Sequence, residues 1–294
     1  MRPVGRFAPS PSGDLHVGNL RTAMLAWLCA RSAGGGFELR VEDLDERARP
    51  GVAERQIADL AAVGVDWDGP VLRQSGRREV YRAVVAELAG RGLVYECWCS
   101  RREIAEAPRA PNSPPGSYPG VCRELSEARR RELRSSAPRP PALRLASAVR
   151  EFAVADLVHG RHVGAVDDFV LLRWDGTPAY NLAVVVDDAA QGVTQVVRGD
   201  DLLSSAPRQA YLASLLGLPE VEYAHVPMVL NASRQRLAKR DGAVTLADLA
   251  AMGTGTEEAV RLLLRSVGSA ADTLGEAAAS FDLRRVPAAP MTWP

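Results

Sequence analysis

The chain has 294 residues, 47% of them hydrophobic, enough to bury a substantial core in one large domain or two smaller ones. Its 36 basic residues offset 36 acidic ones, which excludes a global electrostatic footprint for nucleic acid and makes any RNA contact local. The N-terminal MRPVGRFAPS carries no apolar signal-like region and no run of apolar residues is long enough to span a bilayer, so the expectation is a cytoplasmic protein without membrane association.

In chain order, Val4–Ala8 reads as a short strand that runs into Pro9-Ser10-Pro11-Ser12-Gly13, where two prolines and a glycine forbid regular structure. Leu20, Met24, Trp27 and Leu28 recur at helical spacing within 17–33, and Gly34-Gly35-Gly36 ends that helix. Phe37–Val41 resumes as a strand. Strand, loop, helix, strand is the first unit of an α/β parallel sheet, whose ligands sit at the carboxyl ends of the strands. Helical patterns follow at about 51–65 and 77–91, and the segment 107–120 holds five prolines and two glycines, which marks an inserted loop. An Arg/Glu-rich helix at about 124–134 and strands at 142–147 and 169–174 come next. After a turn at Asp175–Pro178 the pattern predicts a helix from about Tyr180, a strand at 193–198, a helix at 206–217 and a strand within 221–230. Two short helices after 245 and a loose tail over the last dozen residues complete the chain.

Residues 9–19 place a histidine and small residues at a helix N-terminus. Unpaired backbone N–H groups, the positive end of the helix dipole and the bare backbone of Gly13 and Gly18 make a phosphate site there, with His16 as a hydrogen-bond donor. Cys29 stands alone in the apolar helix, whereas Cys97, Cys99 and Cys122 fall within 26 residues. In a reducing compartment that cluster reads as metal ligation before disulfides. Three thiolates and one oxygen or nitrogen ligand would make a closed, structural tetrahedral zinc site.

The stretch from Arg6 through Pro9-Ser10-Pro11-Ser12-Gly13 to Leu15-His16-Val17-Gly18-Asn19 resembles the opening of the glutamyl and glutaminyl tRNA synthetases. Arg40-Val41-Glu42-Asp43-Leu44-Asp45 resembles the R-x-E-D-x-D stretch of the same family. That resemblance implies a class I synthetase Rossmann-type catalytic domain. It implies Arg6, Ala8, Ser10, Glu42, Tyr180 and Arg198 as the L-glutamate site, the last two from Pro178–Ala183 and Thr194–Leu202. The chemistry agrees: an ammonium group asks for a carboxylate such as Glu42, and a side-chain carboxylate asks for arginine. Ser233–Asp241 resembles the second class I signature, with Lys239 at its lysine position. His16, Gly18 and Lys239 would then bind ATP, accompanied by Mg²⁺, and His16 and Lys239 would act on its phosphates.

The family's short paralogues, the glutamyl-Q tRNA(Asp) synthetases, use tyrosine as the fourth zinc ligand, and Tyr118 stands at that position. The expected organisation is 1–95 as the first half of the catalytic domain, 96–175 as the zinc-bearing, acceptor-like insert, 176–245 as the second half, and 246–294 as a helical part without an anticodon-binding domain. These paralogues attach glutamate to queuosine in the anticodon loop of tRNA(Asp). The implied partners are ATP, L-glutamate and that stem-loop, and the implied state is a monomer. Two other readings stand beside this one: a truncated glutamyl-tRNA synthetase that charges a tRNA 3′ end, and a non-catalytic tRNA-binding paralogue.

Overall fold

The computed structural model describes residues 2–106, 117–231 and 244–293. Strand β1 (Val4–Phe7), helix α1 (Val17–Ser32) and strand β2 (Gly36–Val41) form the expected opening unit, followed by α2 (Val52–Ala62), β3 (Leu72–Arg73), α3 (Arg78–Gly90) and β4 (Val94–Cys97). The middle of the chain gives α4 (Arg101–Glu106), α5 (Glu127–Ser136), β5 (Ala142–Leu145), β6 (Glu151–Asp156), β7 (Gly160–Ala165) and β8 (Val170–Leu172). Then come α6 (Tyr180–Ala190), β9 (Gln195–Gly199), α7 (Ala206–Leu215), β10 (Glu222–Val226) and β11 (Val229–Leu230). Helices α8 (Leu246–Ala251), α9 (Thr256–Ser266) and α10 (Leu274–Ala278) precede β12 (Met291–Thr292).

Strands β1, β2 and β3 run parallel, as do β9, β10 and β6. Thr194 ties the two groups edge to edge, its N–H donating to the Val4 carbonyl and its hydroxyl accepting from the Val4 N–H, both at 2.9 Å. A parallel sheet of this kind must be covered on its faces, and α1 provides much of that cover. Twelve of its 16 residues are buried, on every side; it is a central helix rather than a surface one with a single apolar stripe. Fully burying each of Leu20, Met24, Leu25 and Leu28 contributes about 1.5–3 kcal/mol. The turn after α1 requires its glycines: Gly34 has φ +65°, and a Cβ on Gly35 would lie 2.1 Å from the Pro3 carbonyl oxygen.

A second, antiparallel sheet of β4, β5 and β8 carries the cysteine-bearing segment. The structure differs from the sequence expectation in two places. The hairpin β6–β7, which the sequence reading does not contain, joins the parallel sheet through Asp156 and Tyr223. Arg161 and His162 break up the apolar pattern of β7, so its alternation is too weak to read as a strand. The tail is anchored as far as Trp293: β12 pairs with β11, the Trp293 N–H donates to the Leu230 carbonyl at 2.9 Å, and the Trp293 side chain, 6% exposed, packs into the core around α1. That tryptophan supplies the burial that a short polar tail would lack.

Candidate active site and metal centre

β1, β2 and β9 run in the same direction, and each carries an arginine as its penultimate residue: Arg6, Arg40 and Arg198. Arg6 of β1 donates through Nε to Asp188 Oδ1 at 3.2 Å, and Arg40 of β2 donates to the same oxygen at 2.8 Å. Arg40 also meets Glu42 Oε1 at 3.3 Å and Gln191 Oε1 at 2.9 Å. Burial alone would push the Asp188 carboxyl up, but the charges of Arg6 and Arg40 outweigh it and hold its pKa below the usual range. Glu42 goes the other way. Burial raises its pKa more than Arg40 and Arg6 lower it. One carboxylate is thus consumed in holding two arginines, while the other stays under-compensated and is the better partner for an incoming cation.

Arg198, 5% exposed, stands on β9. Its Nε donates to His225 Nε2 at 3.0 Å, and its terminal nitrogens reach the Tyr180 hydroxyl and the Leu202 carbonyl, each at 3.4 Å. Tyr180 opens α6 and is 39% exposed. Desolvation pushes its phenol pKa up, and its hydroxyl feels Arg198, Glu42 and Arg6 together. Four sequence-predicted residues, three from β1, α6 and β9 and the fourth, Glu42, directly after β2, therefore face one space.

The Pro-Ser-Pro-Ser-Gly loop follows β1 directly. The Glu42 N–H donates to the Pro9 carbonyl at 3.0 Å, and the Gln56 amide of α2 donates to the carbonyls of Ser10 at 3.1 Å and Gly13 at 2.6 Å. His16 caps α1: its Nδ1 accepts from the Asn19 N–H and its own N–H donates to Asn19 Oδ1, both at 3.2 Å. An accepting Nδ1 puts the proton of the neutral ring on Nε2. A Cβ on Gly18 would lie 3.0 Å from the His16 ring, so glycine there is what lets the ring lie over the helix start. The backbone of Val17 donates to the Val244 carbonyl at 2.9 Å, which brings Val244 against the same loop.

The second centre lies in the antiparallel sheet. The sulfurs of Cys97, Cys99 and Cys122 lie within 4.8 Å of one another, and Cys99 and Cys122 are 3.4 Å apart. Tetrahedral ligands about 2.3 Å from a zinc ion lie about 3.8 Å from each other; this spacing fits, and the three cysteines could hold such a metal. The Tyr118 hydroxyl sits 3.3 Å from Cys97 Sγ and 3.5 Å from Cys99 Sγ, and accepts from the Cys122 N–H at 2.8 Å. Sulfur–hydrogen donors from Cys122 and Cys99 hold the Cys97 thiol well below its usual pKa, with Arg144 nearby adding to the shift. The Arg144 guanidinium lies 3.7 Å from the centre of the Tyr118 ring. Asp167 links this corner to the catalytic half, accepting from the Tyr118 N–H at 2.8 Å and from Arg208 of α7 at 2.6 Å.

The model of the class I tRNA synthetases (E and Q), catalytic domain, matches residues 4–279. A glutamyl-Q tRNA(Asp) synthetase of Nocardia farcinica is 61% identical over 98% of this chain and 92% of its own length. Another, from Symbiobacterium thermophilum, is 47% identical over 99% of this chain and 95% of its own. The chain belongs to this family of class I synthetases, within its glutamyl-Q tRNA(Asp) synthetase group. A crystal structure of the glutamate tRNA ligase of Elizabethkingia meningosepticum, in complex with its amino acid, superposes with a TM-score of 0.83 and 25% identity; the match covers all of this chain and 67% of that one. The α/β fold expected from the sequence is thereby established, and among the described residues no helix is long and apolar enough to cross a membrane.

Of the residues that the family resemblance singles out, the structure gathers Arg6, Glu42, Tyr180 and Arg198, and sets Ala8, Ser10, His16 and Gly18 along the adjoining loop. Lys239 lies outside the described residues. Sequence reasoning quoted Arg40 within its motif but gave it no role, and missed the other groups that hold the site in place: Asp188, His225, Asp156 and Gln56. A signal was available for one of them, since Asp187-Asp188 interrupt an otherwise apolar helix, where carboxylates are found only with partners.

Proposed function

We propose that this chain activates L-glutamate with ATP as glutamyl-adenylate and transfers the glutamyl group to queuosine in the anticodon loop of tRNA(Asp). The observation that carries this reading is the pairing of an under-compensated buried carboxylate, Glu42, with a guanidinium held side-on at Arg198, both facing Tyr180. An α-amino acid with an acidic side chain needs that combination of opposite charges. Arg6, Ala8 and Ser10 would line the remainder of the amino-acid site. The similarity to glutamyl-Q tRNA(Asp) synthetases supports the choice of acceptor.

The reaction needs no protein nucleophile. The α-carboxylate of glutamate attacks the α-phosphorus of ATP, the bond to the bridging oxygen breaks and pyrophosphate leaves. A hydroxyl of the queuosine cyclopentene diol then attacks the acyl carbon, loses its proton and expels AMP. Position and charge do the work. His16 donates from Nε2 to a phosphate oxygen, the α1 N-terminus at Gly18 adds its dipole, and Lys239 offsets charge growing on the departing phosphates. Mg²⁺ would travel with the ATP. At the second centre, zinc held by Cys97, Cys99, Cys122 and the Tyr118 oxygen would organise the Pro-rich segment. In this reading 1–95 and 176–245 are the two catalytic halves, 96–175 the metal-bearing insert and 246–294 the helical C-terminal part, in a monomeric, cytoplasmic enzyme.

The test is transfer of radiolabelled glutamate, with ATP and Mg²⁺, to tRNA(Asp) with and without queuosine and to tRNA(Glu). Label confined to queuosine-bearing tRNA(Asp) is the expected result. Label on tRNA(Glu) would replace this reading with a synthetase that charges a 3′ end, and no label on any RNA would leave a tRNA-binding paralogue.

A further inference from the structure

Behind Arg198 stands a histidine that the reaction above does not use. In the parallel register of β9 and β10, Arg198 lies directly beside His225. His225 is completely buried, and Asp156, at the end of β6, closes the far side: its Oδ2 lies 2.6 Å from His225 Nδ1. The protons in this row are fixed by elementary chemistry. Arg198 Nε can only donate, so His225 Nε2 at 3.0 Å must be the bare, accepting nitrogen. Nδ1 therefore carries the ring proton and donates it to Asp156. Asp156 is anchored in turn, with Oδ1 accepting the N–H groups of Val158 and His159 at 2.9 Å each and Oδ2 accepting the His225 N–H at 3.1 Å.

The guanidinium has five N–H bonds. One, on Nε, is spent on His225; one from each terminal nitrogen reaches Tyr180 and Leu202. A carboxylate that approached side-on would need Nε–H, which is already taken. The two N–H bonds that remain are on the two terminal nitrogens. We propose that His225 is a positioning residue for the acidic end of the substrate, and that the row Asp156–His225–Arg198 admits a side-chain carboxylate only end-on, through the two terminal nitrogens of Arg198. This rests on the reading of Arg198 as the glutamate side-chain ligand.

The row works only while His225 is neutral, since a proton on Nε2 would set two cations 3.0 Å apart. The groups that face the ring are Arg198 on β9, Asp156 on β6, His159 in the β6–β7 turn and the ring of Tyr223 on β10, 5.7 Å away. Burial and the charge of Arg198 together outweigh the attraction of Asp156 and hold the imidazole pKa below its usual value.

The experiment is glutamate-dependent ATP–pyrophosphate exchange with the full chain, comparing wild type, His225→Phe and His225→Gln. Loss of a buried hydrogen bond to a charged group predicts a glutamate KM raised about 10- to 100-fold in His225→Phe, with the ATP KM and kcat moving by less than about threefold. His225→Gln keeps a carbonyl to accept from Arg198 Nε and an amide to face Asp156, and recovers most of the lost affinity. In wild type the glutamate KM climbs as the pH falls into the range where His225 gains its proton; in His225→Gln that acid limb is gone. A wild-type glutamate KM in His225→Phe, or a glutamine variant no better than phenylalanine, overturns the proposal. If His225→Phe does not fold, the acid limb decides alone: its persistence in His225→Gln overturns the idea. Exchange in wild type without any dependence on glutamate overturns the glutamate reading itself, a result distinct from the other two.

Discussion

At the open edge of the parallel sheet, the arginines are held by protein groups before any substrate arrives. Arg6 and Arg40 share Asp188, and Arg198 is held from three sides by His225, Tyr180 and Leu202. At the cysteine cluster the three sulfurs face one another and a phenol, and the apolar group around them is small, with Tyr95, Cys97, Tyr118 and Cys122 as its buried members. The first region is preorganised by two groups of parallel strands, tied through Thr194 and Val4, and by their core; the second would be organised by what it binds. Removing a side chain that the substrate touches in the first should therefore appear as lost chemistry at nearly intact structure, removing the charge beneath it as lost stability, and damage to the second as lost local structure at nearly intact chemistry.

The largest effect expected on activity is that of Arg198→Ala. Removing the cationic half of a buried, hydrogen-bonded recognition pair costs about 2–5 kcal/mol, so glutamate-dependent pyrophosphate exchange should fall by roughly two to three orders of magnitude. ATP binding, followed by equilibrium dialysis, should stay close to wild type. Equal loss of both would remove Arg198 from the glutamate site.

Asp188→Ala tests the scaffold beneath that site. It leaves Arg6 and Arg40 buried without their shared counter-charge, and breaking a buried pair costs about 3–5 kcal/mol of stability. The folded-state pKa of Asp188 lies below the ordinary carboxylate value. Its contribution is thus fully present above the unfolded-state pKa and is lost as pH falls through the folded one. Denaturant unfolding at pH 7 should show the full deficit, and the gap between wild type and variant should narrow in acid. A gap that widens on acidification would contradict the ion-pair account.

Cys99→Ala breaks the comparison from the other side. Bound zinc, measured by elemental analysis, should drop from about one per chain to a small fraction, because three-point ligation is lost. Limited proteolysis should then cut between Cys97 and Ala142 while the glutamate KM stays within about threefold. An equal loss of glutamate affinity would show that the metal centre organises the sheet edge as well, through Asp167 and Arg208.

The two regions were also unequally legible. In the active-site half, residue type and order point to the chemistry: prolines and glycines announce the loop, His16 opens the helix, and Glu42 and Arg198 sit at strand ends. What could not be read is which charges hold which. Asp188 bonds Arg6 across 182 residues and Arg40 across 148, pairings set by the sheet order rather than by local spacing. His225 and Asp156 meet only because β6 joins β10, and the hairpin that carries Asp156 leaves too weak an alternation to be seen. The cysteine cluster, by contrast, was legible from spacing, since thiols that close in sequence can converge with little help from the fold.

The smallest effect belongs to Gln56, which joins α2 to the loop between β1 and α1. Its side-chain amide, 2% exposed, is shared between the Ser10 and Gly13 carbonyls, while its Oε1 finds no partner among the described residues. The Ser10 carbonyl also accepts from the Ser12 N–H at 2.8 Å, so Gln56→Leu chiefly strands the Gly13 carbonyl. It also removes an unsatisfied oxygen, which offsets part of that loss, and the net penalty should be about 1 kcal/mol. Because the proposed function sets Ser10 in the amino-acid site and Gly13 on the side toward His16, both substrates should feel it. The KM values for glutamate and ATP should rise together by about threefold to tenfold, in contrast to His225→Phe, which moves glutamate alone. A change confined to one substrate would mean that the two ends of the loop move independently, and that the amide of Gln56 holds only one of them.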